Sequence, residues 1–171
     1  MNQLYLITLL SLLSVVTKAQ ELPFYISNDT VSMFRLDYYI RNVIDDRTDF
    51  NIWADSTHDS QRYDDFRYEF EVFLKKSIVP KYNAEPVLVK VKEFKVWENQ
   101  TDSGLYAKEY IDVIYYLYAN LKFIEVYSST YTHENTSNRE RQNAHMVNVR
   151  AIVREMFNDF ELNSGYKLVE Y

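Results

Sequence analysis

The 171 residues include no cysteine, two glycines and three prolines. Without cysteine there is no disulfide scaffold, no zinc ribbon, no thiol nucleophile and no N-terminal cysteine to carry a lipid anchor. With Gly104 and Gly165 as the only glycines, the phosphate-cradling patterns G-x-x-x-x-G-K-[ST] and G-x-G-x-x-G cannot be written, nor can the G-x-S-x-G nucleophile elbow. Basic residues are outnumbered 19 to 25, a formal net charge of −6. That deficit argues against a general nucleic-acid binder, whose affinity comes from Lys and Arg on phosphates. It also argues against a peripheral binder of anionic lipid. No segment beyond the N-terminus is apolar for long enough to cross a membrane. The stretch 111–126 comes nearest and is broken by Asp112, Asn120, Lys122 and Glu125.

What is present begins with an export-type segment. Leu4 to Val16 is apolar apart from Thr8, Ser11 and Ser14, and Thr17-Lys18-Ala19 follows. Small residues three and one before a cut are what a signal peptidase accepts, and the run is shorter than the roughly 18 residues a membrane span needs. The n-region Met-Asn-Gln carries no Lys or Arg. The expectation is a signal peptide over residues 1–19 and a single mature domain over 20–171. The cut removes only Lys18 among the charged residues, so the net charge moves from −6 to −7. An exported chain without cysteine suits a compartment where disulfides are not the usual staple, such as a bacterial periplasm.

The apolar periodicity gives the order of elements. Phe34, Leu36, Tyr38 and Ile40 alternate with charged residues, which predicts a strand over Val31–Ile44. Tyr63, Phe66, Phe70, Phe73 and Leu74 recur at three- and four-residue steps, predicting a helix over Ser60–Ile78 that stops before Pro80. Val87, Val89 and Val91 open a strand to Glu98, and 99–104 is a turn cluster. Tyr106–Tyr118 and Leu121–Tyr131 read as strands joined by a tight loop at Ala119-Asn120. Met146, Val149, Ile152, Val153, Met156, Phe157 and Phe160 set a long helix, with Ser137-Asn-Arg-Glu140 as a capping box upstream. Asn163-Ser-Gly165 stops it, and Tyr166–Tyr171 forms an edge strand or a tail. The order β-α-β-β-β-α predicts an α+β two-layer sandwich: a mixed four-stranded sheet, its first two strands parallel, with both helices on one face.

Candidates for chemistry are sparse. His58, His133 and His145 show no H-x-x-x-H or H-E-x-x-H spacing. His145 shares a helical face with Val149, Ile152 and Met156 and reads as a satisfied residue at the core margin, whereas His58 and His133 read as solvated loop residues. The acid pairs Asp45-Asp46, Asp64-Asp65 and Asp55/Asp59 match no calcium loop and read as turn and helix-start residues. Asp45 and Arg47 suggest a turn with a local ion pair. No cofactor and no metal is implied. The chain has 16 tyrosines, and Tyr110, Tyr115, Tyr116 and Tyr118 load one strand on both faces. They suit either a core margin or a sheet face that stacks on a sugar, a peptide or a protein partner. Asn28-Asp-Thr30, Asn99-Gln-Thr101 and Asn135-Thr-Ser137 are sequons in expected loops, relevant only in a eukaryotic secretory pathway.

Val43-Ile-Asp45-Asp46-Arg47 at the end of a first strand, then an amphipathic helix, then Val87-Leu-Val-Lys-Val-Lys-Glu-Phe-Lys-Val-Trp-Glu98, a hairpin and His145-Met-Val-Asn-Val-Arg150 opening a last helix together resemble small exported envelope proteins of Bacteroidetes type. Those are similar in turn to auxiliary lipoproteins of ABC-type transport systems. The resemblance runs over most of residues 31–161. It implies a non-catalytic accessory or assembly role in the periplasm with a protein partner in the envelope, and it carries over no functional residue. The missing anchor cysteine is a departure from the lipoprotein members. The alternatives are a secreted hydrolase, in which at least two of Asp46, Asp55, Asp59, Asp64 and Glu98 converge, and a eukaryotic secreted glycoprotein with a binding role.

Overall fold

The computed structural model describes residues 26, 29–31, 34–54, 65–138 and 141–163. The elements are β1 (Phe34–Asp45), α1 (Phe66–Ser77), β2 (Ile78–Thr101), β3 (Gly104–Ala119), β4 (Lys122–Ser137) and α2 (Arg141–Asn163). This is the expected β-α-β-β-β-α order. The sheet runs β1-β2-β3-β4, with β1 parallel to β2 and the other pairs antiparallel. The export-type segment 1–19, residues 60–64 of the expected first helix, residues 139 and 140 of the capping box, and the tail 166–171 lie outside the described residues.

The helical faces read from the sequence are buried. Phe66, Phe70, Phe73 and Leu74 of α1 and Val149, Ile152, Met156 and Phe160 of α2 lie in one core with Val87, Val89, Val91, Ile111 and Val113 of the sheet. Aromatic rings fasten the layers. Phe66 stacks on Phe94 at 4.7 Å, and Phe160 meets Tyr115 at 4.7 Å and Tyr38 at 4.8 Å. The other face of the sheet has no helix on it among the described residues.

Several strand boundaries differ from expectation. β2 begins at Ile78, directly after α1, and holds Pro80 inside it. Pro80 sits opposite Leu36, just before the ladder with β1 breaks and resumes at Tyr38 and Glu85. A proline is tolerated beside such a break, where ladder hydrogen bonds are lost anyway. Asn83 in the extruded stretch has φ 66°, and the alternation is legible only from Val87 because this bulge interrupts it. β4 runs on to Ser137, so its polar end, read from composition as a loop, is strand. The β3–β4 turn falls at Asn120-Leu121 rather than Ala119-Asn120. Both residues are left-handed, with φ 52° and 63°, as a primed two-residue hairpin requires. Asn adopts this readily; Leu does so at a cost of about 1–2 kcal/mol.

The β2–β3 turn relies on Gly104, at φ +128°. A Cβ there would lie 2.5 Å from Asn138 Oδ1 and 2.7 Å from the Ser137 carbonyl oxygen. Gly104→Ala is therefore expected to lower stability by more than about 1 kcal/mol, read as a shift in the urea midpoint at unchanged slope.

Past β1 the chain stays on the same edge of β2. Asp46 N donates to Val91 O, Val96 N to Ile52 O and Ala54 N to Val96 O, and Trp53 bridges Val96 in parallel. The chain that follows β1 is thus pinned through residue 54, with Ile52 and Trp53 buried.

Candidate functional site

β2 carries a bulge between Val91 and Glu93. Before it the inward residues are Val87, Val89 and Val91; after it they are Phe94, Val96 and, at the rim, Glu98. The extra residue reverses the parity, so Glu98 faces α2 instead of solvent. On β3 the inward track is Ala107, Glu109, Ile111, Val113 and Tyr115, which puts a carboxylate on a buried position. On α2, His145 and Asn148 share the buried face with Val149 and Ile152.

These side chains meet between α2 and the sheet. His145 is fully buried and binds a carboxylate on each ring nitrogen: Glu109 Oε1 at Nδ1, and Glu98 Oε2 at Nε2 at 2.9 Å. Arg141 Nε donates to the same Glu98 oxygen. Asn148 Nδ2 donates to Ala107 O at 3.0 Å, and Asn135 Nδ2 donates to Asn148 Oδ1 at 2.7 Å and to Ala144 O at 2.8 Å. Glu109 is fully buried, and its Oε2 meets no hydrogen-bond donor among the described residues. Trp53 closes the outer side, its ring edge-on to His145 at 6.3 Å with the Arg141 guanidinium 5.3 Å over it.

Burial pushes the Glu109 carboxyl up, against the His145 hydrogen bond that favours its anion. Burial also opposes charge on His145, but the bonds from Glu109 and Glu98 outweigh it and raise its pKa. Glu98 feels the same desolvation, yet His145 and Arg141 hold it below its ordinary value. The cluster therefore holds a proton on the Glu109–His145 hydrogen bond with an anionic Glu98 beside it. Neither imidazole nitrogen is left to take a proton from a nucleophile.

The other residues singled out in the sequence separate from this cluster. Asp46 lies on the surface, where Lys92 Nζ at 2.9 Å and Lys90 Nζ at 3.7 Å keep its carboxyl low. It is roughly 20 Å along β2 from Glu98. Asp55, Asp59, Asp64 and His58 lie outside the described residues, and Asp65 precedes α1 without a side-chain cap. No metal-ligand cluster occurs among the described residues. The Asp45–Arg47 pair is buried rather than exposed. Its oxygens accept from Arg47 Nε and Nη2 at 2.7 Å, and the guanidinium lies 4.3 Å over the Phe66 ring. The fold-back of 46–54 onto β2 covers it. His133 stands in β4, not in a loop, and bonds Glu155 of α2 at 3.0 Å. Two sequons also lie in strands: Asn99 in β2, and Asn135 in β4 with its amide spent on α2. Asn28 lies outside the described residues.

On the uncovered face, a groove of about 440 Å³ opens beside the pinned segment. Trp53, Trp97 and Tyr110 supply its rings, and Asp49, Glu93 and Lys95 its charges. Lys95 Nζ donates to Asp49 Oδ2 at 2.7 Å and to Asn51 O at 2.8 Å, fixing one wall. Lys108 Nζ lies 5.2 Å over the Trp97 ring. Burial, then Asp112 and Glu93, raise the Tyr110 phenol above its ordinary value. Trp53 belongs to both features, so the buried cluster braces the groove from behind.

Sequence reasoning missed Glu109 and Asn148. Each sits on a track whose neighbouring members are apolar, Ala107/Ile111/Val113 for the first and Val149/Ile152/Met156 for the second. A polar residue on such a track was the available signal.

Fold and site together define a two-layer α+β fold with one sheet face free of helices among the described residues, an aromatic groove on that face and a closed Glu-His-Glu cluster behind it. No protein-family model matches the chain, and no curated protein does. Among solved structures it is similar to a minor lipoprotein from Acinetobacter baumannii, at 8% identity over 76% of this chain and 95% of that one, TM-score 0.37. It is also similar to a DUF330 protein from Xanthomonas campestris, at 12% identity over 80% of this chain and 92% of that one, TM-score 0.39. No helix among the described residues is long and apolar enough to cross a membrane.

Proposed function

We propose that this chain is an exported, non-catalytic accessory or binding protein of a bacterial cell envelope, of the Bacteroidetes type its motifs resemble, and that it engages its partner through the open sheet face. The observation that carries this reading is the groove. Three aromatic side chains, Trp97 and Tyr110 on paired strands and Trp53 on the segment pinned to β2, surround a few polar groups, and its volume lies within the range of small-ligand sites. A non-catalytic role is supported by the capping of both His145 nitrogens and by the separation of Asp46 from Glu98. The export-type N-terminus supports the location.

A photoreactive amino acid at Trp97, with Tyr68 on α1 as the control position, tests the reading in intact envelope. A discrete adduct from position 97 and none from 68 is expected, and Tyr110→Ala should weaken it. No adduct at 97, or the same pattern from both positions, counts against it.

A further inference from the structure

The two edges of the sheet are finished differently. On the β1 side, Glu71 of α1 accepts from Val43 N at 3.1 Å, and the segment 46–54 continues along β2. β1 is also broken by two register shifts and carries Arg35, Asp37 and Arg41 exposed. Bulges, charges and cover keep a sheet edge from pairing with another chain. β4 lacks them over most of its length. It ends the sheet, and from Tyr127 to Ser137 it pairs with β3 without a shift. Val126–Thr132 holds no charge, no proline and no glycine. Among the described residues, no backbone hydrogen bond leaves the outer edge of β4. Alternate N–H and C=O groups of this strand therefore point outward, ready for a partner.

The two sides of the edge differ in charge. On the sheet face away from the helices, β4 shows Ser128, Thr130, Thr132 and Thr136, with Glu134 opposite Lys108. Glu125 is engaged by the Tyr116 hydroxyl at 3.5 Å, and Lys122 stands at the far end of the strand. That side is close to neutral. On the other side lies the flank of α2, fixed over β4 by Asn148 on Asn135 and by Glu155 on His133. Asp159, about one turn beyond Glu155, lies on the same flank. The arginines of α2 do not balance these acids at the edge. Arg141 is spent on Glu98, Arg150 turns to Asp29, and Arg154 stands about 100° round the helix from Glu155, toward solvent. The open backbone is thus flanked by hydroxyls on one side and by two carboxylates on the other.

We propose that the outer edge of β4 accepts an extended segment of a protein partner as a further strand, with lysine or arginine at the alternate positions that face Glu155 and Asp159. Main-chain hydrogen bonds supply the affinity, and the alternate side chains supply the selection. A second copy of this chain fits less well. Pairing β4 with β4 about a two-fold axis would bring the Glu155–Asp159 flanks of both α2 helices together, and each chain carries a formal charge of −6. The inference does not use the groove.

The test sets the full chain against two peptides about as long as 127–136, one alternating lysine with threonine and one alternating glutamate with threonine. The lysine peptide is expected to bind and to slow hydrogen exchange severalfold at alternate amides of β4, and the glutamate peptide to do neither. Glu155→Gln combined with Asp159→Asn should weaken binding severalfold with little change in melting temperature, since neither carboxylate is buried. The lysine peptide methylated at every backbone nitrogen keeps its charges and loses its donors, and it should fail to bind. No binding by the lysine peptide, equal binding by its methylated form, or protection confined to other elements overturns the proposal. So does protection of the outer β4 amides without any peptide: if it grows with protein concentration, a second copy covers the edge, and if it does not, another segment of this chain does.

Discussion

His145→Ala is expected to lower the unfolding free energy by about 3–5 kcal/mol, the usual cost of removing one partner from a buried charged pair. The substitution strands Glu109. That carboxyl is fully buried, its Oε2 lies within hydrogen-bond distance of no donor among the described residues, and His145 Nδ1 is the partner of its Oε1. Glu98 suffers less, because Arg141 still reaches it and it lies at the rim. The cavity left by the imidazole adds to the loss. His145→Leu combined with Glu109→Leu should cost much less than His145→Ala alone, since it removes the desolvated charge together with its partner. Urea unfolding followed by near-ultraviolet absorption or fluorescence measures both. A single-variant loss under about 1 kcal/mol would mean that water reaches Glu109.

Stability is expected to peak at mildly acidic pH and to fall on both sides. The His145 pKa is raised above its ordinary 6.5, so the folded chain keeps a proton that the unfolded chain releases. Its contribution is complete below pH 6.5 and is lost as pH rises through the folded value. Glu109, pushed up by burial, acts in the same sense and shares that proton. Glu98 is held below its ordinary 4.5, so its contribution is present above pH 4.5 and is lost as pH falls through the folded value. Each proton retained by the folded state steepens the alkaline decline by about 1.4 kcal/mol per pH unit. Melting temperatures from about pH 2 to 9 should trace this dome, and His145→Leu with Glu109→Leu should flatten its alkaline side. An unchanged alkaline side in the double variant would assign the decline to other groups.

The element order was legible because each apolar pattern has one dominant period. Phe66, Phe70, Phe73 and Leu74 can share a face only on a helix, and burial of that face is what the pattern encodes. The parity change within Val87–Glu98 was also written in the sequence: Val87, Val89 and Val91 are odd, Phe94 and Val96 even. One extra strand residue accounts for it. The continuation of β4 to Ser137 was not legible, because Thr132 to Ser137 is polar on both faces and its pairing comes from β3 rather than from its own composition. The displaced turn at Asn120-Leu121 was hidden for a related reason: leucine gives no local signal for a positive φ.

The candidate site divides in the same way. That His145 lies on an apolar helical face follows from spacing alone, and so does the inward position of Glu109 once β3 is taken as a strand. That Glu98, Glu109 and His145 converge, that Asn135 turns to α2 rather than to solvent, and that Trp53 joins the buried cluster to the groove are facts of long-range pairing. Periodicity determines which way a side chain faces along its own element. Which side chains then come within hydrogen-bond distance depends on strand register, on the bulge between Val91 and Glu93 and on the seating of α2 against the sheet, and these are settled only when the whole core packs.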